Sequence, residues 1–270
     1  METSRSQTGI VSSLYRYPVK GLSGDKLEMM PLSRIDGLSG DRRWALLLPG
    51  IDFDPQHPEP LPKTRFLMLA RHERLASVRS EVVDNMISIR RQNDLVVAAD
   101  LLTESGRETI EEFFAKLVGL ESGRRPRLVQ SHGHRFTDIS IVSPVMMRAI
   151  SLINLRSVQT LAQAVGQRLD PLRFRANIYL DGLPAWAEVD LRGRQLRIGE
   201  VIFKVLARIP RCAAVEVNPA TGIRDIDLVK RLFEITGEAK MGLYLEVCSD
   251  GAVQLGDSFE VIGEPASMSA

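Results

Sequence analysis

The feature that most constrains the fold of this chain is how often its apolar segments are interrupted. Residues 10–18 (IVSSLYRYP) alternate as a strand does and stop at Pro18. Lys26–Pro31, Trp44–Leu48 and Arg65–Ala70 are short apolar stretches separated by Gly, Pro and Asp, the punctuation of an all-β region. Asp52–Pro62 (DFDPQHPEPLP) holds four prolines, and neither a helix nor a central strand tolerates that density. Asn85–Arg90 and Leu95–Ala98 read as a further strand pair joined through Gln92-Asn93-Asp94. A helical bundle is therefore excluded for this part of the chain.

Helical spacing enters at Thr109–Leu117, where Ile110, Phe113, Phe114 and Leu117 share a face. Val145–Gln167, interrupted near Ser151–Ser157, reads as two short helices ending near Gly166. After Asp170-Pro171 the pattern returns to strands at Asn177–Leu180, Gln195–Ile198, Val201–Leu206, Ala213–Val217, Leu243–Val247, Val253–Leu255 and Phe259–Ile262, with one helix at about 227–236. Gly turns between such strands favour a barrel over a βαβ sheet. The expected class is mainly β (α+β): a β-barrel with flanking helices plus a smaller N-terminal β-domain. The polar, breaker-rich Ser122–Pro126 places the division so that the domains run 8–125 and 126–265.

The chain of 270 residues can bury a core without staples. Its two cysteines cannot supply a disulfide framework, a four-cysteine zinc site or a four-cysteine iron–sulfur cluster. A formal net charge of +1 and 6% aromatic residues, with no basic–aromatic stripe, argue against nucleic-acid binding. No apolar run reaches the roughly 18 residues of a membrane span, and the polar start lacks a signal segment, so no membrane association and a cytoplasmic location are expected. Of the 35 basic residues, 28 are Arg, the side chain that pairs with phosphate and carboxylate in a planar fork.

The chain lacks G-x-x-x-x-G-K-[ST], H-E-x-x-H, G-x-S-x-G and a helix-opening G-x-G-x-x-G. His132-Gly133-His134 offers half of a metal site, but no Cys or third His lies nearby, which favours a plain loop. Cys212 follows a strand ending at Pro210, with Arg208 and Arg211 just before it. Nearby cations favour the thiolate, the form that attacks electrophiles and binds soft metals, while an inert buried thiol is the competing reading. Cys248, in the extension of the apolar 243–247 strand, reads as packing. Arg173, Arg175 and Asn177 fall at period two, on one face if extended, and two such guanidiniums need an anionic partner. Asp41-Arg42-Arg43-Trp44 and Tyr17-Pro18-Val19-Lys20 add loop cations.

Taken in order, Tyr15–Gly21, Gly40–Trp44, Arg173–Ile178 followed by Ala185–Glu188, Arg211-Cys212 with Val217–Gly222, and Gly251–Asp257 resemble the MOSC family. The similarity covers about residues 10–263 and is carried by the combination of motifs. The resemblance implies a MOSC barrel, an N-terminal MOSC-type β-barrel domain, and a molybdenum cofactor in its molybdopterin form between them. It further implies that Cys212 is the molybdenum ligand. Lys20, Arg42, Arg175 and Asn177 correspond by motif to cofactor-contacting positions, with Arg173 and Arg211 as weaker carry-overs. Departures are Arg175-Ala176-Asn177 for the family's Arg-Pro-Asn, Ile209-Pro210-Arg211 before the cysteine, and Asp138–Pro144 in place of a shorter Asp-x-Ser-Pro segment.

Three functions follow from this resemblance. One is an oxidoreductase that reduces N-hydroxylated small molecules. Without a haem or iron–sulfur cluster of its own, it takes electrons from a separate ferredoxin- or flavin-linked protein. Another is a sulfur carrier, loaded as a Cys212 persulfide by a cysteine desulfurase. A third is a cofactor carrier without turnover.

Overall fold

The computed structural model describes residues 9–262, so the outer domain limits expected at 8 and 265 lie outside the described residues. β1 (Gly9–Arg16) alternates buried and exposed residues; a loop over 17–24 leads to β2 (Asp25–Leu27), and β3 (Met29–Ser33) and β4 (Gly37–Leu38) follow through short connections. β5 (Trp44–Leu47) is buried at every position, as a strand covered on both faces must be. β6 (Arg79–Val83), β7 (Met86–Arg91) and β8 (Asp94–Asp100) form an antiparallel sheet. α1 (Glu104–Val118) starts where the Thr103 hydroxyl accepts from the Gly106 N–H, and ends at the left-handed Gly119. Its Ile110, Phe114 and Leu117 join Val82, Ile87 and Ile89 in one core. β9 (Arg127–Gln130) then pairs back with β5.

α2 (Pro144–Met147), β10 (Ile150–Asn154), α3 (Leu155–Val165), β11 (Ile178–Asp181), β12 (Gln195–Ile198) and β13 (Val201–Pro210) come next. α4 (Leu228–Thr236), β14 (Lys240–Val247), β15 (Gly251–Gln254) and β16 (Ser258–Ile262) complete the described chain. The strand order β11-β10-β14-β13-β12-β16-β1, with β1 pairing back onto β11, closes a barrel of seven strands. Closure removes the sheet edges that would otherwise be free to pair with other chains. Leu14, Leu152, Ile178, Leu196, Phe203, Leu245 and Phe259 fill the interior and are fully buried. β1, on the N-terminal side of the division expected at 125/126, is thus a barrel strand. Among the described residues no helix is long and apolar enough to cross a membrane.

Four local expectations are corrected. Ser151–Ser157 is no helix interruption: Ile150–Asn154 is a barrel strand with all five residues buried. A short run buried on both faces shows no alternation by which to tell it from a helix segment. Arg65–Ala70 forms only a single bridge, Phe66 to Leu47, before the chain turns at Met68–His72. Ala213–Val217, expected as a strand, is a 3-10 turn over Ala213–Glu216 that begins directly after Cys212. β6 and β9 were not expected at all; each is only four or five residues long, too short for a pattern to stand out.

Candidate functional site

The barrel presents one end to the N-terminal sheet region, and a cavity of about 250 Å³ lies there. Lys20, Arg42, Arg173, Arg175, Asn177, Arg211 and Cys212 all line it, so the fold gathers every residue that the resemblance singled out. They arrive from four places. Lys20 is on the loop after β1, and Arg42 follows β4. Arg173, Arg175 and Asn177 precede β11, while Arg211 and Cys212 follow β13. β13 reaches the cavity through register shifts at Val205/Ala207 and Arg208/Pro210, the kind of irregularity that re-aims side chains beside a site.

The 173–177 segment does not lie extended. Asp170 caps a 3-10 turn over Pro171–Phe174, and Arg175 closes it in the left-handed region at φ 52°. The period-two face expected there does not exist, and the three side chains have separate fates. Arg173 is buried; it clasps both Asp225 carboxylate oxygens at 2.7 Å and donates to the Glu216 carbonyl at 3.0 Å. Arg211 is spent on backbone, donating to Met241 at 2.6 and 2.8 Å and to Phe174 at 2.9 Å. Gly242 leaves room for it: a Cβ there would stand 2.4 Å from the Leu152 carbonyl and 3.0 Å from the Arg211 guanidinium. Burial pulls the Arg211 pKa down to about 10.

Asn177 is fully buried and saturated. Its oxygen accepts from the Ser151 N–H at 3.1 Å, the Ser151 hydroxyl at 2.7 Å and Arg42 at 3.3 Å. Its amide group donates to the Tyr15 carbonyl and to Asp41, both at 3.1 Å. Asp41 in turn accepts from the Tyr17 N–H at 2.8 Å and pairs with Arg42. Asn177 therefore orients Arg42 and has no hydrogen-bonding capacity left for a ligand. Arg42 is itself left-handed, at φ 47°. Burial opposes its charge, but the Asp41 carboxylate holds its pKa above the ordinary arginine value.

Arg175 is the exception. Its guanidinium finds no carboxylate or carbonyl among the described residues, and its contact is the Tyr17 ring, 4.5 Å from the centroid. The same ring carries Arg42 at 4.6 Å. Burial, and then the neighbouring Arg42 charge, pull the Arg175 pKa down. A half-buried guanidinium on a cavity wall that meets no protein acceptor is open to an anion from outside the chain.

Two charged residues of the cavity were not foreseen as site residues. Lys63 enters from the end of the proline-rich segment, and Asp138 from the loop before α2. Asp138 bridges Lys20 and Lys63, the latter at 3.4 Å. Burial opposes its charge, but the two ammonium groups hold its pKa at about 2. For Lys63, burial is outweighed by Asp138 and then by the Cys212 sulfur, which together raise its pKa. For Lys20 the order reverses: desolvation dominates and pulls the pKa down, although Asp138 opposes it. No local signal says that the proline-rich segment returns to Cys212; that contact is made by tertiary packing alone. Of the remaining candidates, His134 packs against Phe53 and Phe136, and no cluster of three potential metal ligands from His, Cys, Asp or Glu occurs among the described residues. Cys248 lies beyond β14, and burial raises its pKa.

The MOSC domain model matches residues 131–260, and this region of the chain is a MOSC domain. Among curated relatives, the molybdenum cofactor sulfurase of Bos taurus is 24% identical over 87% of this chain and 30% of its own length. That of Drosophila grimshawi is 27% identical over 85% of this chain and 31% of its own length. The chain thus spans about a third of the length of these relatives. Among solved structures, the YUAD protein from Bacillus subtilis aligns over 95% of this chain and 97% of its own, with 13% identity and a TM-score of 0.45.

Proposed function

We propose that this protein holds a molybdenum cofactor in the cleft, with Cys212 as the protein ligand to the metal, and reduces N-hydroxylated small molecules. The observation that carries the reading is a thiol sharing one cavity with Lys20, Lys63 and the acceptorless Arg175. A soft sulfur suits the metal, and an arginine fork with ammonium groups suits the anionic part of the cofactor. When bound, the group supplies a two-electron redox centre. Lys20 and Arg175 hold its negative charge, Asn177 and Asp41 keep Arg42 in place behind them, and Lys63 keeps a proton at Nζ on the wall beside Cys212. In the reduction an N–O bond breaks, two electrons and two protons enter, and the oxygen leaves as water. The electrons come from a separate ferredoxin- or flavin-linked protein, because two cysteines cannot build an iron–sulfur relay in this chain.

The test is anaerobic purification followed by metal and pterin analysis, then assay with an artificial electron donor and an N-hydroxylated amidine. Bound molybdenum with reduction of the substrate supports the reading; protein without molybdenum or pterin contradicts it. The names of the curated relatives favour a second reading, in which Cys212 carries a persulfide sulfur received from a cysteine desulfurase. That reading expects a gain of about 32 Da on Cys212 after incubation with a desulfurase and cysteine. A loaded protein that neither turns over substrate nor gains sulfur is a cofactor carrier.

A further inference from the structure

Lys20 has a side chain only 6% exposed, and an ammonium that buried needs a counter-charge. It receives one from Asp138, together with the Phe136 carbonyl at 3.0 Å. Asp138 is an unusual choice of partner. Its side chain is 46% exposed, it lies on a loop outside any helix or strand, and among the described residues its carboxylate is paired only with Lys20 and Lys63. The carboxylates that hold Arg42 and Arg173 are built differently: each is also tied by an amide, Asp41 by Asn177 and Asp225 by Asn218. Beside Asp138, in the same cavity, the Arg175 guanidinium meets no acceptor among the described residues.

We propose that Asp138 is an internal competitor for the anion site: its carboxylate occupies the two lysines until an external oxyanion displaces it, so that ligand binding is an exchange. The tether gives Asp138 a high effective concentration at the lysines, so a weakly held monoanion does not compete with it. A phosphate-type dianion brings more charge and also reaches Arg175, and this combination offsets the loss of the internal pair. The exchange releases the Asp138 side chain while the Phe136 N–H stays bonded to the Arg42 carbonyl, placing a local conformational step at the mouth of the cleft.

The inference rests on reading the cleft as an anion site, and the experiment separates the two claims. Inorganic phosphate and acetate are titrated by calorimetry into the wild type and Asp138→Asn at constant ionic strength. Removing a shared competitor tightens both anions by the same factor, at least about tenfold. Phosphate should also restore the melting temperature that Asp138→Asn loses, by more than it raises that of the wild type. Phosphate binding that is equal or weaker in the variant overturns the role of Asp138 and leaves the anion site standing. No phosphate binding in either protein overturns both. If the variant does not fold, carbon NMR of the wild type decides: phosphate must shift the Asp138 carboxyl resonance, and an unmoved resonance on a protein that binds phosphate overturns the proposal.

Discussion

Arg173 and Arg175 stand two residues apart and line the same cavity, yet they belong to regions built on opposite principles. Beneath the cleft, Arg173 ties the turn after Cys212 to the loop at Asp225, and nearly all of its donors meet protein acceptors. On the cleft wall, Arg175 meets only an aromatic ring. The backbone makes the difference: the 3-10 turn sends Arg173 inward, and the left-handed Arg175 leaves the turn toward the cavity. A charge satisfied within the chain contributes to the fold, whereas one left unsatisfied is available to a ligand. Substitution tests whether the two regions are distinct in this way.

The largest effect is expected beneath the cleft. Arg173→Met strands Asp225 and two backbone carbonyls, and should cost about 3 kcal/mol, at the low end for a buried pair because Asp225 is 33% exposed. Denaturant unfolding measures it, and a loss below about 1 kcal/mol breaks the contrast. Asn177→Leu comes next. It leaves Ser151 and Asp41 without their partner and should cost about 2 kcal/mol while disordering Arg42. Arg175→Met should change stability by less than about 0.5 kcal/mol, since no protein hydrogen bond is lost. Its phosphate affinity should nevertheless fall about tenfold, the value of one charge-assisted bond. A large stability loss in Arg175→Met would make both arginines structural.

The smallest effect is a pH dependence. The Asp138 pKa of about 2 lies below its ordinary value of 3.8, so the charged form is the one favoured by folding. Its stabilisation is present above about pH 4 and is lost as pH falls through about 2. With the side chain 46% exposed, solvent screening keeps the contribution below about 1 kcal/mol. Comparing acid unfolding of the wild type with that of Asp138→Asn isolates it, and identical acid limbs would show that the carboxylate is not held by the lysines.

The extent to which the sequence revealed these regions follows from the range of the forces involved. Strands bounded by Gly or Pro, such as Gln195–Ile198, and helix ends such as Gly166 are set locally and were legible. That the seven candidate site residues, Lys20 to Cys212, belong together was legible in the sequence to the extent that all of them line one cavity. The opposite fates of Arg173 and Arg175 were not legible. Asp170-Pro171 is a readable helix start, but whether it or the period-two pattern wins depends on Asp225, fifty residues away in sequence and unseen locally. Lys63 and Asp138 were hidden for the same reason, since each acquires its meaning only through tertiary contacts. The two cysteines, alike in composition, separate by position: Cys212 is in the cleft and Cys248 is outside it.

The account turns on Cys212, and the most direct measurement is molybdenum and pterin content after anaerobic purification of the wild type, Cys212→Ala and Cys248→Ala. The account predicts molybdenum in the wild type and Cys248→Ala, and its loss in a folded Cys212→Ala. Equal molybdenum in all three, or none in the wild type, would contradict it.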